Sequence, residues 1–161
     1  MNVRKTARLV VLSQDRGVLL VRHHDPKPVD PSRPDLVAYW IPPGGGVNEG
    51  ESFEEAALRE AEEETSIRPS EVGPQIWSRK CQLIHGGELK QYIEHYFVAW
   101  AERSGPLENR TNECIDEIRW WTLEELRESA ETFLPRGFVE LVAAVIAGGT
   151  PPLPIELSEE G

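Results

Sequence analysis

Glu60, Glu63 and Glu64 are spaced so that, on a helix turning 100° per residue, three carboxylates fall within about 100° of arc and share one face. Like charges three and four residues apart each cost on the order of 0.2–0.5 kcal/mol, whereas hard divalent cations are held by clustered carboxylate oxygens. Mg2+ is the natural occupant of such a face, with Mn2+ able to substitute. Glu55 and Glu62 point the opposite way and read as solvated surface charges, which keeps the metal face to one side. The clustering is pronounced: eight glutamates fall between Glu49 and Glu64, with Arg59 the only basic residue among them. Clustering alone also fits a plain glutamate-rich surface helix, so the turn before the helix decides between the two.

Ser52 followed three residues later by Glu55 forms a capping box, and Ala56, Ala57, Leu58 and Ala61 favour a helix lasting to about Glu64 or Thr65. Ahead of it, Leu36 to Ile41 reads as a short strand that runs into Pro42-Pro43-Gly44-Gly45-Gly46, which is expected to turn sharply. The run Gly45-x5-Glu51-x7-Arg59-Glu60-Ala61-x-Glu63-Glu64-x-Ser66-Ile67 resembles the Nudix box, G-x5-E-x7-R-E-U-x-E-E-x-G-U with U apolar. It covers 23 residues, Gly45 to Ile67, and every charged position is present at the right spacing. Trp40-Ile41-Pro42-Pro43-Gly44 is similar to the strand and turn that lead into the box in that family. One position departs. Ser66 replaces the second glycine where the helix would end in a left-handed residue, at a cost of about 1 kcal/mol.

The resemblance implies an α+β fold, a Nudix-like αβα sandwich with a mixed sheet. It also implies Mg2+-dependent hydrolysis of a phosphoanhydride (pyrophosphate) bond in a nucleoside diphosphate derivative. Carried onto this chain, Glu60, Glu63 and Glu64 are metal-binding carboxylates on a solvated helix face, and the backbone carbonyl of Gly45 is a further ligand. Arg59 orients a glutamate by ion pairing and Glu51 supports the same network. A general base is also required, and relatives differ in its origin: Glu60 is the choice within the box. Glu113, in the loop before Glu117-Ile118-Arg119-Trp120-Trp121, occupies a position from which relatives often supply a carboxylate, with Glu117 the weaker neighbour. The alternative is a non-catalytic Nudix-like nucleotide-binding or regulatory module, but such modules typically lose box carboxylates and all are kept here. An isomerase on the same fold would need additional metal ligands that the sequence does not locate.

Substrate identity stays open among a nucleoside triphosphate, a nucleotide sugar and a dinucleoside polyphosphate. Arg22-His23-His24 closes the second strand and Arg8 sits on the first, so Arg8, Arg22 and His23 are candidates to meet a phosphate or base. The positions that hold a proline in ADP-ribose subfamilies and a tyrosine in dinucleoside polyphosphate subfamilies are Gln82 and Leu83, and neither signature is present. The five tryptophans, Trp40, Trp77, Trp100, Trp120 and Trp121, could stack on a base, yet alternating aromatics in strands are usually core.

The elements that must position these groups follow from the hydrophobic pattern. Residues 3 to 13 and 17 to 23 read as strands separated by Gln14-Asp15-Arg16-Gly17, and the proline-rich run from Asp25 to Asp35 as a stiff exposed loop. Strands over about Gln75 to Ile84 and Leu89 to Ala101 join across Gly86-Gly87, and another covers Glu117 to Trp121. Thr122 caps a short helix from Leu123, and Pro135 is expected to open a last helix through Ile146 that stops at Gly148-Gly149. Residues 1–149 then form one domain, followed by an extended proline-containing tail over 150–161. A length of 161 residues supports a core without disulfides, and Cys81 and Cys114 read as packing thiols. The net charge of -11 repels polyphosphate backbones, so the expected partner is a small nucleotide and not a nucleic-acid polymer, with the chain a monomer or homodimer. No run of 18 apolar residues and no signal-peptide pattern occurs, which points to a cytoplasmic protein that does not enter a membrane.

Overall fold

The computed structural model of the chain describes residues 3–15, 17–26, 33–34, 36–103 and 105–157. Most of the proline-rich run, including residues 27–32 and 35, lies outside them. Two long strands form the spine. β1 (Val3–Leu12) runs parallel to β6 (Glu88–Trp100) from Val3↔Gln91 to Leu12↔Trp100. With β2 (Gly17–His24), β3 (Ala38–Ile41) and β5 (Gln75–His85), the order across the mixed sheet is β3-β2-β1-β6-β5. β7 (Ile115–Thr122) pairs antiparallel with β2. Gly86 and Gly87 both take positive φ, 61° and 80°, as the tight turn between β5 and β6 requires.

Alternation along β1 divides the core between two faces. Ala7, Leu9 and Val11 face α1 (Phe53–Thr65), whose small Ala56, Ala57 and Ala61 let the helix lie close to the sheet. Val10 and Leu12 face the other way, toward Leu126 of α2 (Leu123–Glu128) and Phe138, Val142 and Val145 of α3 (Phe138–Gly148). Helix, sheet and helix thus form the αβα layers, and Trp40, Trp77 and Trp121 lie buried in the second core. Trp120 is partly buried against the core on the α1 side, and Trp100 is 58% exposed.

Three local expectations need correction. The expected turn is confined to Pro42-Pro43, where the chain bends, and Gly44–Gly46 is instead a short strand, β4, paired antiparallel with β1 through Thr6↔Gly46, Ala7↔Gly45 and Arg8↔Gly44. Its glycines serve close approach: a Cβ on Gly44 would stand 2.3 Å from the Ala7 carbonyl oxygen. Pro135 does not open α3. Gly137, with φ 78°, is its N-cap, and the helix starts at Phe138. Cys81 is a buried thiol as expected, but Cys114 is exposed. In the tail, β8 (Ile155–Glu156) adds to the sheet parallel to β5, and Leu157 N–H donates to the Ser78 carbonyl at 2.8 Å.

Candidate active site

The box helix is fixed at both ends by hydrogen bonds its sequence supplies. Ser52 caps the first turn, with the reciprocal bond from Ser52 N–H to Glu55 completing the capping box. At the other end Ser66 takes the left-handed conformation, φ 66°, and its N–H reaches the Glu62 carbonyl at 2.8 Å. A serine is tolerated there because its hydroxyl donates to the Glu108 carbonyl at 2.9 Å, which offsets part of the backbone cost. The segment around Glu108 also satisfies carbonyls at the helix end: Glu108 N–H donates to Thr65 and Arg110 N–H to Glu63, at 3.1 and 2.8 Å. This docking brings the loop carrying Glu113 to the glutamate helix.

Arg59 ties the box together. Its Nε and Nη2 donate to the two oxygens of Glu51 at 2.8 and 3.0 Å, Nη1 to Glu60 at 2.9 Å, and Nη2 also to the Gly46 carbonyl at 2.9 Å. This guanidinium holds the Glu51 carboxyl below the usual range. Burial pushes Glu60 the other way, with Arg59 opposing. Gly45 has to be glycine for Glu60 to lie where it does, since a Cβ would stand 2.5 Å from the Glu60 carboxyl carbon.

Glu64 departs from the expected solvated face. It is 0% exposed, whereas the Glu63 side chain is 44% exposed. Helical spacing correctly groups the three glutamates, but α1 packs on the sheet, and the edge of their shared arc that carries Glu64 is turned inward. One oxygen, Oε1, accepts from Gly44 N–H at 2.9 Å; Oε2 is buried with no hydrogen-bond partner among the described residues. Burial pushes the Glu64 carboxyl up to about 8 against the pull of Arg8 and the Gly44 N–H. An oxygen left this way costs about 1–3 kcal/mol or more unless a cation meets it.

A cleft of about 570 Å³ opens beside these carboxylates, and Arg8, His23, Tyr39, Gly45, Glu60 and Glu113 line it. His23 stacks on Tyr39, with ring centroids 5.6 Å apart and planes at 13°. Burial, then the nearby Arg8, pulls His23 down to about 4, so its imidazole is neutral at pH 7. Arg8 donates through Nε to Glu94 and through Nη1 to the Pro42 carbonyl, each at 2.9 Å. Glu94, 2% exposed, also accepts from Thr6, Arg79 and Tyr96. Burial alone would raise its carboxyl, but Arg8 and Arg79 outweigh that and take it down to about 2.

A family model for the NUDIX domain matches residues 3–142. The chain belongs to the Nudix family. Over 158 residues it is 29% identical to the m7GpppN-mRNA hydrolase NUDT17 of Xenopus laevis, a match covering 93% of this chain and 48% of that protein. An uncharacterized Nudix hydrolase of Yersinia pestis is 31% identical over 137 residues, covering 83% and 66%. The chain thus spans less than two thirds of the length of each of these curated relatives. Among solved structures, the MutT protein from Methanosarcina mazei Go1 superposes with a TM-score of 0.64 at 21% identity, covering 88% of this chain and 91% of that one, and shows the same fold.

Within this Nudix fold, Gly45, Glu51, Arg59, Glu60, Glu63 and Glu64 come together, and Glu113, Arg8 and His23 join them at the cleft. Arg22 does not line the cleft: alternation along β2 turns it away from His23, and its guanidinium engages Asp116 at 2.6 Å. Glu117, paired with Arg22 across β7, lies away from the cleft too. Glu94 and Arg79 escaped the sequence reading. The signal was available in Tyr92-x-Glu94-x-Tyr96, which puts a charge on an inward position of a strand, where it needs a partner. No helix among the described residues is long and apolar enough to cross a membrane.

Proposed function

We propose that the chain is a divalent-metal-dependent hydrolase that cleaves a phosphoanhydride bond in a nucleoside diphosphate derivative. The observation that carries this reading is Glu64, buried with Oε2 unpartnered, beside a Glu60 carboxylate seated against Gly45. These residues fit a hard cation: Glu60, Glu63, Glu64 and the Gly45 carbonyl would hold it, with Mg2+ favoured by an oxygen donor set and Mn2+ able to substitute. Such an ion supplies neutralisation of phosphate charge and a lowered pKa for water.

The chain's own groups do the rest. Arg59 locks Glu51 and Glu60 in one arrangement, so the box carboxylates meet the substrate pre-organised. Arg8, anchored by Glu94, presents positive charge to the cleft, where a diphosphate would lie. His23 and Tyr39 offer a flat wall for a base or sugar. Two carboxylates at the cleft are the candidates to take a proton from water: Glu60, whose affinity for protons burial raises, and Glu113, from the loop. The net charge of -11 favours a small nucleotide over a nucleic-acid polymer.

A substrate panel with Mg2+ tests the proposal. Nucleoside triphosphates, nucleotide sugars and dinucleoside polyphosphates would be incubated with the protein and both products of each identified. Cleavage between two phosphorus atoms in one class is expected. Cleavage only at a phosphate monoester, or none across the panel, would refute the assignment.

A further inference from the structure

One cluster at the cleft joins a box carboxylate to two residues outside the box. His23 at the end of β2, Glu64 on α1 and Glu113 in the loop each offer a ligand atom, and these atoms all lie within 4.8 Å of one another. Metal–ligand bonds of roughly 2.0–2.6 Å put donors on one ion at most about 4–5 Å apart, so the cluster is compatible with a single ion. We propose that His23, Glu64 and Glu113 together hold a first-row transition-metal dication, with the His23 imidazole as a nitrogen ligand beside two carboxylates. The inference rests on the reading of the box as a metal site and adds to it a ligand from β2.

Three features of the fold support the assignment. Glu64 contributes a fully buried carboxylate with one oxygen unpartnered. Neither ring nitrogen of His23 makes a hydrogen bond among the described residues, and the stack on Tyr39 holds the ring in place. A register shift between Arg22 and His23 in the β2–β7 pairing lies where the strand delivers this side chain, and such irregularities re-aim side chains next to sites. Glu113 is brought alongside by the backbone, since His24 N–H donates to the Cys114 carbonyl at 2.9 Å.

The donor set selects the ion. Two carboxylates and a neutral imidazole carry a charge of about -2, matched to a dication, and an imidazole nitrogen favours a first-row transition metal over Mg2+. Mn2+ serves as the probe because its electron spin reports directly on bound nitrogen. Pulsed EPR of the metal-stripped full chain, titrated with Mn2+ from substoichiometric to saturating, should show 14N coupling from an imidazole. His23→Phe, which keeps an aromatic ring against Tyr39, should abolish that coupling and weaken Mn2+ binding at least about tenfold by calorimetry. His23→Gln should do the same. Bound Mn2+ without 14N coupling at any loading of the wild type overturns the inference and leaves the box reading standing, as does coupling that persists in both variants. No Mn2+ binding at all would overturn both.

Discussion

The Glu60 carboxylate packs so closely on Gly45 that a Cβ there would stand 2.5 Å from its carboxyl carbon, while the same addition at Gly44 would meet the Ala7 backbone oxygen at 2.3 Å. The two neighbouring glycines therefore protect different things. Gly45→Ala need only displace the far end of a flexible side chain, so the fold should persist while Glu60 moves out of place. Turnover is expected to fall about 100-fold, the scale set by a misplacement of about 1 Å. Gly44→Ala has to move backbone in the central sheet and should lower the melting temperature. Thermal melts and steady-state rates on both variants check this, and equal loss of stability in the two would contradict it.

Glu64→Gln should stabilise the metal-free protein. The amide keeps an acceptor for the Gly44 N–H and removes a buried group that resists ionisation. Each kcal/mol gained is about 2–4 °C in a chain of this size. The same substitution should shrink the rise in melting temperature that Mg2+ or Mn2+ produces in the wild type. A metal-free variant that melts below the wild type at pH 8 would count against a charge held there for a cation.

Acid should weaken the fold through Glu94. Its folded carboxyl sits at about 2, below the ordinary 4.5, so its stabilisation is full above about 4.5 and is lost as pH falls from there toward 2. Glu94→Gln leaves Arg8 and Arg79 buried without their counter-charge and should cost about 3–5 kcal/mol near neutral pH. Denaturation of both proteins at pH 7 and pH 3 gives the answer: the difference should narrow at the lower pH.

Glu113→Gln should lower kcat far more than Glu117→Gln, because Glu113 lines the cleft and Glu117 sits on β7 opposite Arg22. Loss of Glu113 as a base is typically worth about 100- to 10,000-fold and should persist in kcat at saturating metal, whereas loss of Glu113 as a ligand to the ion should be recovered in part at higher metal. Equal and small effects would assign the base to Glu60.

Much of this site was readable before the fold, because the box is a local pattern. Capping residues bound the helix, spacing groups the glutamates, and a left-handed exit at position 66 follows from the motif. What could not be read depends on partners distant in sequence. Helical periodicity shows that Glu64 shares an arc with Glu60 but not that the sheet covers that edge of it. Glycines at 44–46 look like a turn until β1 is laid against them. Arg22 and His23 are equivalent in composition, and only strand alternation separates the cleft side from the other. The pairing of Glu94 with Arg8 spans 86 residues, beyond any local signal.

Metal-dependent hydrolysis is tested most sharply in chelator-stripped protein, with turnover followed as Mg2+ is titrated back into the wild type and Glu63→Gln. Glu63 is partly exposed, so its substitution spares the core. No turnover is expected without metal, with saturable recovery in the wild type and recovery in the variant reduced by orders of magnitude or displaced to higher Mg2+. Undiminished hydrolysis in chelator, or identical Mg2+ curves for both proteins, would contradict that expectation.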